Sequence, residues 1–366
     1  MNRFFKAVCI PASIAAFLTF ASCDADPIFS AIEEEVAIAD ASVNGSVTSL
    51  FGFGDYLWLT DGYLRRKPAM SGSDGDWKSM DFPGSATRCQ QIATDGTYIY
   101  AIFQKGTNWD FESVRYSADG ENWTNKIVIG ELQASAIYSG ANRVIFFTDS
   151  RSGAVDGYEI DVSTLAVTAI TNATNLKQIT GFAAVGTTVY FSTREQVYSL
   201  AAGDTAATAI AGSSVANAPS ASIAGLAADG INLYAVNAGY CFRWDGANWG
   251  TFGHDTSDPT AFAYLASKQL LLIGGKSGYT EVDLSNGNAS QTPGKAANSS
   301  IGTDDYSQYS GSIDSYRVGN FVVVEDPAYN SAGDAYTLYL TIVSPVTTRA
   351  GLWSYYPSTR SEWNRE

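Results

Sequence analysis

A short hairpin-like unit recurs along most of this sequence and constrains its fold more than any other feature. The clearest copy spans residues 223–236, where a run of small apolar residues meets Asp229-Gly230 and continues as Leu-Tyr-Ala-Val. A tight turn between two such runs predicts two antiparallel strands. Seven copies follow one another, with turn centres at Gly54-Asp55, Asp95-Gly96, Ala141-Asn142, Val185-Gly186, Asp229-Gly230, Ser267-Lys268 and Val318-Gly319.

The spacing of these copies predicts a β-propeller. Most turn centres follow each other after a number of residues in the low to middle forties, which is the length of one four-stranded blade. In the fifth copy, residues 240–244 and 248–252 supply a third and a fourth strand. We therefore predict an all-β fold, a single seven-bladed β-propeller of four-stranded antiparallel blades over residues 43–366. In the last copy, we assign Phe321 to Val324 as the second strand and residues 351–356 as the third.

The N-terminal segment reads as an export signal. Residues 7–21 are almost wholly apolar, but this run is short for a membrane-spanning helix and contains Pro11. The stretch Phe20-Ala21-Ser22-Cys23 resembles a bacterial lipobox. That resemblance implies that residues 1–22 are a lipoprotein signal peptide, that Cys23 carries the lipid anchor, and that 23–42 form a tether. A plain cleaved signal, without lipid, is the alternative.

The charge of the chain excludes some classes of partner. The formal net charge is -15, and loss of residues 1–22 would remove two basic groups and no acidic one, leaving -17. Such an acidic protein is repelled by the phosphates of nucleic acid and by anionic lipid. We therefore expect no nucleic-acid partner, and we interpret the charge as a source of solubility.

The residues that could support catalysis or bind a metal are sparse. The single histidine, His254, rules out a multi-histidine metal site, and we expect it in a solvated loop. The acidic pairs Asp304-Asp305 and Glu325-Asp326 could serve a glycosidase or bind calcium, but no ligand pattern surrounds them. We predict no cofactor, no metal and no enzymatic activity. Apart from Cys9 in the signal and Cys23 at the anchor, the chain has two cysteines. We expect Cys89 and Cys241 to be separate buried thiols, with a disulfide as the alternative.

One recurrent turn resembles a known family of hairpins. Residues 117–123, Ser-Ala-Asp-Gly-Glu-Asn-Trp, are echoed at 73–77 and 245–249. They resemble the Asp-box hairpins of sialidase-like propellers, in which Asp caps backbone N–H groups, Gly takes a positive φ and Trp packs beneath. The resemblance supports the fold. It does not extend to sialidase chemistry, because the arginines occupy different places in their repeats: Arg88, Arg143, Arg194 and Arg317.

Long loops point to a binding site. In a propeller with strands a to d in each blade, the b–c turns and the d–a crossovers emerge on one face. We assign to that face the loops 104–110, 286–311 and 326–334, and the crossover 81–88. They would flank a cleft over blade one, because blade seven closes beside blade one. Long loops on a rigid scaffold commonly carry binding functions; tolerated insertions are the alternative. The candidate binding residues are Trp109, Asp110, Asp304, Asp305, Tyr306, Tyr309 and Tyr329.

Taken together, the lipobox and the repeats resemble the propeller lipoproteins of diderm bacteria, spirochaetes among them. This resemblance implies a lipid-anchored protein of the cell envelope, on the periplasmic or the outer-surface side. We expect a monomeric propeller that binds a protein or glycan partner through its loop-rich face. An envelope assembly scaffold and an enzyme acting on polysaccharide are the alternatives.

Overall fold

The predicted architecture is confirmed. The computed structural model describes residues 42–69, 77–148, 156–174, 176–285, 313, 316–330, 334–345, 350–358 and 360–366. Within them the chain forms seven antiparallel sheets, each built from one contiguous stretch of sequence in the order a-b-c-d. The sixth sheet has three strands in the described residues, and the other six have four. Within the same residues we find no helical segment with the length and hydrophobicity that a bilayer crossing requires.

The strands of the first four blades, four to a blade, are β1 (Ser49–Phe53), β2 (Tyr56–Thr60), β3 (Leu64–Pro68), β4 (Lys78–Ser79), β5 (Arg88–Thr94), β6 (Ile99–Lys105), β7 (Asp110–Ser117), β8 (Asn125–Lys126), β9 (Ala134–Gly140), β10 (Arg143–Thr148), β11 (Gly157–Ile160), β12 (Val167–Ala169), β13 (Ile179–Val185), β14 (Thr188–Thr193), β15 (Val197–Leu200) and β16 (Thr208–Ala211). Those of the last three are β17 (Gly225–Ala228), β18 (Leu233–Val236), β19 (Tyr240–Trp244), β20 (Trp249–Gly253), β21 (Ala261–Leu265), β22 (Leu270–Gly274), β23 (Tyr279–Asp283), β24 (Arg317–Val324), β25 (Thr337–Val343), β26 (Gly351–Tyr356) and β27 (Arg360–Arg365). A 3₁₀ turn, Ala266–Lys268, joins β21 to β22.

The second strand of each blade is its most hydrophobic because a neighbouring blade covers each of its faces. In β10, Phe146 packs into the cluster shared with blade two, whereas Ile145 and Phe147 pack into the cluster shared with blade four. Burying a side chain of this size stabilises the fold by about 1.5–3 kcal/mol. Continuous apolar runs in the sequence therefore marked the second strands of the first six blades correctly.

The assignment of blade seven was wrong. Strand β24 runs straight through the predicted turn at Val318-Gly319, where the register shifts by a β-bulge between Val318 and Asn320. A glycine at a bulge reads like a turn in sequence. Residues 321–324 are thus the end of strand a, strand b is β25, and the segment 326–334 belongs to the a–b connection. The other six turn centres coincide with the a–b turns or lie within one residue of them.

The strand order defines two faces of the propeller. We call the end with the a–b and c–d connections the turn face; 54–55 and 118–124 are examples. We call the end with the b–c and d–a connections the loop face; 106–109 and 80–87 are examples. Since strands alternate in direction within every blade, each connection can be assigned to one face from its position in the order a to d.

Residues 43–47 close the ring on the loop face. The N–H of Val43 donates to the backbone oxygen of Glu366 at 3.4 Å, and the N–H of Leu352 donates to the oxygen of Val43 at 3.1 Å. The side-chain amide of Asn320 donates to the oxygen of Val47 at 3.1 Å. Val43 and Val47 are both buried. This segment therefore binds blade seven before the chain enters β1 of blade one.

A buried ion pair also joins blades one and seven. Lys67 Nζ lies 2.9 Å from Glu366 Oε2, and these side chains are 1% and 2% exposed. Lys67 also donates to the Tyr356 hydroxyl at 2.8 Å, and Trp77 Nε1 donates to Glu366 at 2.9 Å. Burial alone would lower the pKa of Lys67, but Tyr339 and Glu366 beside it outweigh burial and raise the pKa. Lys67 is therefore charged at neutral pH.

Candidate functional site

Exposed large apolar side chains are concentrated on the loop face. Among the described residues, five of the six such side chains stand at loop-face ends of strands or in loop-face connections, and only Ile231 stands on the turn face. Exposed apolar groups gathered on one side of a soluble domain commonly mark an interaction surface. The five on the loop face are Tyr63, Trp109, Val128, Tyr240 and Val343.

Trp109 is presented by the tight loop 106–109. The pairing of Lys105 with Asp110 closes this loop, and Trp109 has a φ of 56°, which is rare for a bulky residue. Its side chain is 58% exposed. The Arg88 guanidinium carbon lies 4.1 Å from the centroid of the indole, a cation–π contact. Among the described residues, Arg88 Nε is buried without a hydrogen-bond partner.

Tyr63, in the b–c turn of blade one, is a second presented aromatic. It stacks on Phe82 with ring centroids 6.3 Å apart and an interplanar angle of 16°. The guanidinium carbon of Arg65 lies 5.1 Å from the centroid of the Tyr63 ring, and Arg65 Nε donates to the Asp61 carboxylate at 3.1 Å. The N–H of Tyr63 donates to the same carboxylate at 3.1 Å. Both the backbone and the ring of Tyr63 are therefore held in place.

The two aromatics belong to one surface. Gly62, which precedes Tyr63, lies against the Arg88 guanidinium, since a Cβ added at Gly62 would be 3.7 Å from its central carbon. The N–H of Cys89 donates to the oxygen of Gly62 at 3.0 Å, joining blade two to blade one. We call Tyr63, Phe82, Arg88 and Trp109 the aromatic site. Sequence reasoning missed Tyr63, although an aromatic directly after Asp-Gly between two strands is a usable signal.

The predicted cleft does not form as expected. Trp109 and Asp110 are exposed on the loop face. Tyr329 instead lies on the turn face, where its ring covers Gly52 of β1 so closely that a Cβ there would be 2.4 Å from it. Burial, and then the carboxylates of Asp326 and Asp55, raise the pKa of Tyr329. A cleft shared by Trp109 and Tyr329 is therefore wrong, because the phase of blade seven was wrong.

The other predicted binding residues, Asp304, Asp305, Tyr306 and Tyr309, lie outside the described residues, as does the anchor residue Cys23. Whether Trp109 and Asp110 bind a partner stays a prediction. In the described residues, no group of three or more His, Cys, Asp or Glu side chains is arranged so that it could hold a metal ion.

A recess of about 310 Å³ also opens on the loop face, between blades four, five and six. Arg194 lines one side, and Ser222 and Asp258, both with positive φ, line the other. Asp258 is paired with Arg317 of blade seven. The recess therefore offers an exposed guanidinium, while its carboxylate is already bound.

The turn face is strongly acidic. Its described connections carry eleven acidic side chains and one basic side chain, Lys268. By the same count, the described loop-face connections carry seven acidic and three basic side chains. The acidic residues of the turn face are Asp55, Asp95, Asp119, Glu121, Asp161, Asp204, Asp229, Asp245, Glu325, Asp326 and Asp334.

Several of these carboxylates cap turns. Asp119 accepts hydrogen bonds from the N–H groups of Glu121 and Asn122, both at 2.8 Å. The bond from Asn122 is the largest cause of the lowered pKa of Asp119. Gly120 has a φ of 71°, and Trp123 is buried with its indole N–H donating to the oxygen of Gly120. Asp119, Gly120 and Trp123 therefore stabilise this one turn. The echo at 73–76 lies outside the described residues.

The remaining titratable candidates are held in structural roles. His254 is half-buried rather than solvated: Nδ1 accepts the N–H of Thr256 at 3.2 Å, so Nε2 donates to the oxygen of Asn237 at 2.8 Å. Burial lowers the pKa of His254. Cys89 and Cys241 are buried free thiols, as predicted, and burial raises the pKa of both.

Comparison with known proteins places the chain among lipoproteins. The model of the TP013X lipoprotein family matches residues 2–366. An uncharacterized lipoprotein of Treponema pallidum (strain Nichols) is 23% identical over 99% of this chain and 100% of its own length. A second from the same strain is 24% identical over 94% and 93%.

Solved structures share the fold at low sequence identity. The structure of YCF48 bound to D1 peptide superimposes with a TM-score of 0.58 at 12% identity, over 87% of this chain and 95% of that one. The Dos1 propeller gives a TM-score of 0.50 at 12% identity, over 86% of this chain and 78% of that one. At such identity the likeness concerns the fold alone.

Proposed function

This chain belongs to the TP013X lipoprotein family, and from that premise we propose that it is a non-catalytic binding protein of the cell envelope whose loop face binds a protein partner. The family makes it a membrane-anchored lipoprotein. We further propose that Cys23 carries the anchor, after removal of residues 1–22, and that residues 23–42 are the tether. Metabolic labelling with palmitate should therefore be lost in Cys23→Ala, whereas a label that persists in this variant would refute the assignment.

The observation that carries the proposal is the concentration of exposed apolar side chains on the loop face. Within that face, the aromatic site presents a tryptophan, a tyrosine and an arginine, two of them held by stacking. Trp, Tyr and Arg are the side chains that most often dominate binding energy at protein interfaces. Because their positions are fixed before binding, little entropy is lost when a partner orders them.

A protein partner is favoured over a glycan by two considerations. The exposed set includes aliphatic valines, Val128 and Val343, which have no π-face on which a sugar could stack. In addition, a neighbour of the same architecture, YCF48, was solved with a peptide bound. The experiment below distinguishes a protein partner from a glycan partner.

The experiment compares Trp109→Ala and Tyr63→Ala with Ile231→Ala. Ile231 is a matched control, being an apolar side chain, 80% exposed, on the turn face. A partner is first captured by crosslinking in intact cells and identified by mass spectrometry. We expect Trp109→Ala to weaken its binding by on the order of thirtyfold, the effect of a 2 kcal/mol hot spot, with an unchanged melting temperature.

The outcomes separate the alternatives. Unchanged binding by both aromatic variants, or a loss confined to Ile231→Ala, would overturn the proposal. Binding that survives proteolysis of the partner but not its deglycosylation would identify a glycan. Turnover of a polysaccharide by the purified protein would instead favour the enzyme.

A further inference from the structure

We infer that the loop face is turned toward the membrane that holds the anchor, with the acidic turn face pointing away. The orientation rests on the proposed anchor at Cys23 and the proposed tether 23–42, but not on the proposed binding of a partner. Its corollary rests on that binding as well: a partner bound at the aromatic site is recognised at the bilayer surface, so it is a protein that is itself in or on the membrane.

The proposed tether joins the propeller on the loop face. Ser42 is followed directly by Val43, which is held by hydrogen bonds to Leu352 and Glu366 on the loop face. Cys23 lies nineteen residues before Ser42, so fully extended chain could span at most about 65 Å. A propeller with its turn face toward the membrane would need this tether to pass around the side of the blades.

The two faces of the propeller differ in charge. An anionic bilayer repels each acidic side chain near its surface, just as it attracts each basic one. The described connections of the turn face carry eleven acidic groups and one basic group, which disfavours the approach of this face to within about one Debye length, ~8 Å, of the bilayer. The net charge of the whole chain disfavours contact with anionic lipid in general, but in the described connections this repulsion is stronger on the turn face than on the loop face.

The exposed apolar side chains are spread over the loop face. Among the described residues they stand in connections or at strand ends of blades one, two, five and seven, so they do not line one groove. Three of the five are Trp or Tyr, the side chains that the interface of a bilayer favours. A dispersed set on one end of the propeller matches a broad, flat surface such as a membrane.

The test places one spin label on each face of the full, lipidated chain. Asn108→Cys labels the loop face and Ala247→Cys labels the turn face, and both residues are exposed in tight connections. The native thiols at 89 and 241 are buried, and unmodified protein measures any label they take up. The protein is reconstituted in vesicles of phosphatidylcholine and phosphatidylglycerol, 7:3, that contain a nickel-chelating lipid.

We expect nickel at the vesicle surface to enhance relaxation of the label at residue 108 at least threefold more than that at residue 247. Equal enhancement at both positions, or greater enhancement at 247, would overturn the orientation. Charge reversal by Asp55→Lys with Asp204→Lys should reduce the difference, and a difference that does not respond would remove the electrostatic argument. If the labels show no orientation while Trp109→Ala still loses its partner, the orientation fails and the proposed function stands.

Discussion

Replacing Glu366 by Gln should weaken the closure of the ring. In the native fold its carboxylate accepts hydrogen bonds from Lys67, Trp77, Tyr356 and Ser354, and the Lys67 side chain is almost fully buried. Glutamine keeps the shape and part of the hydrogen bonding but leaves a buried cation without its counter-charge. Removing one partner of a buried ion pair typically costs about 3–5 kcal/mol of unfolding free energy.

The measurement is equilibrium unfolding in urea, followed by tryptophan fluorescence, with hydrogen exchange to locate the effect. Since the pair joins β3 to the end of blade seven, we expect exchange to accelerate in blades one and seven before blade four. Glu195→Gln is the matched control: its partner is Lys177, both side chains are more than half exposed, and such a pair contributes at most about 1 kcal/mol. Equal destabilisation by Glu366→Gln and Glu195→Gln would refute the reasoning.

The pH dependence gives an independent check. The pKa of Lys67 is raised in the folded state, so its contribution is complete below the unfolded value of about 10.4 and is lost as pH rises through the higher folded value. The contribution of Lys67 to wild-type stability should therefore be complete from pH 7 to 9 and be lost in stronger alkali. In Glu366→Gln burial lowers the pKa of Lys67 without the carboxylate to oppose it, so the stability gap between wild type and variant should be largest at neutral pH and narrow as pH rises. A gap that widens as pH rises would contradict this assignment.

Two further substitutions test local features. Gly120→Ala should lower the melting temperature of the protein far more than Gly96→Ala. Both glycines have a positive φ, which costs about 1–2 kcal/mol for alanine. Only at Gly120 would the added Cβ lie 2.3 Å from the Trp58 ring. Equal effects would mean that the turn does not pack on Trp58. Gly52→Ala should be destabilising in the native chain and much less so in the Tyr329→Ala background, because the added methyl meets the Tyr329 ring. Additive effects would place Tyr329 elsewhere and restore the original phase of blade seven.

The fold was predictable because blade strands carry their signal locally. A strand covered on both faces must be apolar throughout, and β10 and β22 are buried at every position. Closure of the ring was not predictable in the same way. Val43 and Glu366 are more than three hundred residues apart, and neither has a neighbouring pattern that differs from an ordinary strand end or loop.

The site was only partly predictable, and Gly319 shows why. Two kinds of error are possible in a repeat. Misplacing a strand end by one residue is harmless, whereas taking strand a for strand b moves the connection that follows to the opposite face. The bulge at Gly319 produced the second kind, so Tyr329 moved to the turn face while Trp109, five blades earlier in a clear repeat, stayed on the loop face. Burial patterns alone do not detect this error, since strands a and b are both apolar. The a–b connection 325–336 is longer than the tight a–b turns of the other blades. This difference in length, more than any residue type, is the sequence signal that distinguishes strand a from strand b in blade seven. The face on which a connection lies thus depends on whether it follows strand a or strand b, and a single glycine in a strand can hide which of the two it is.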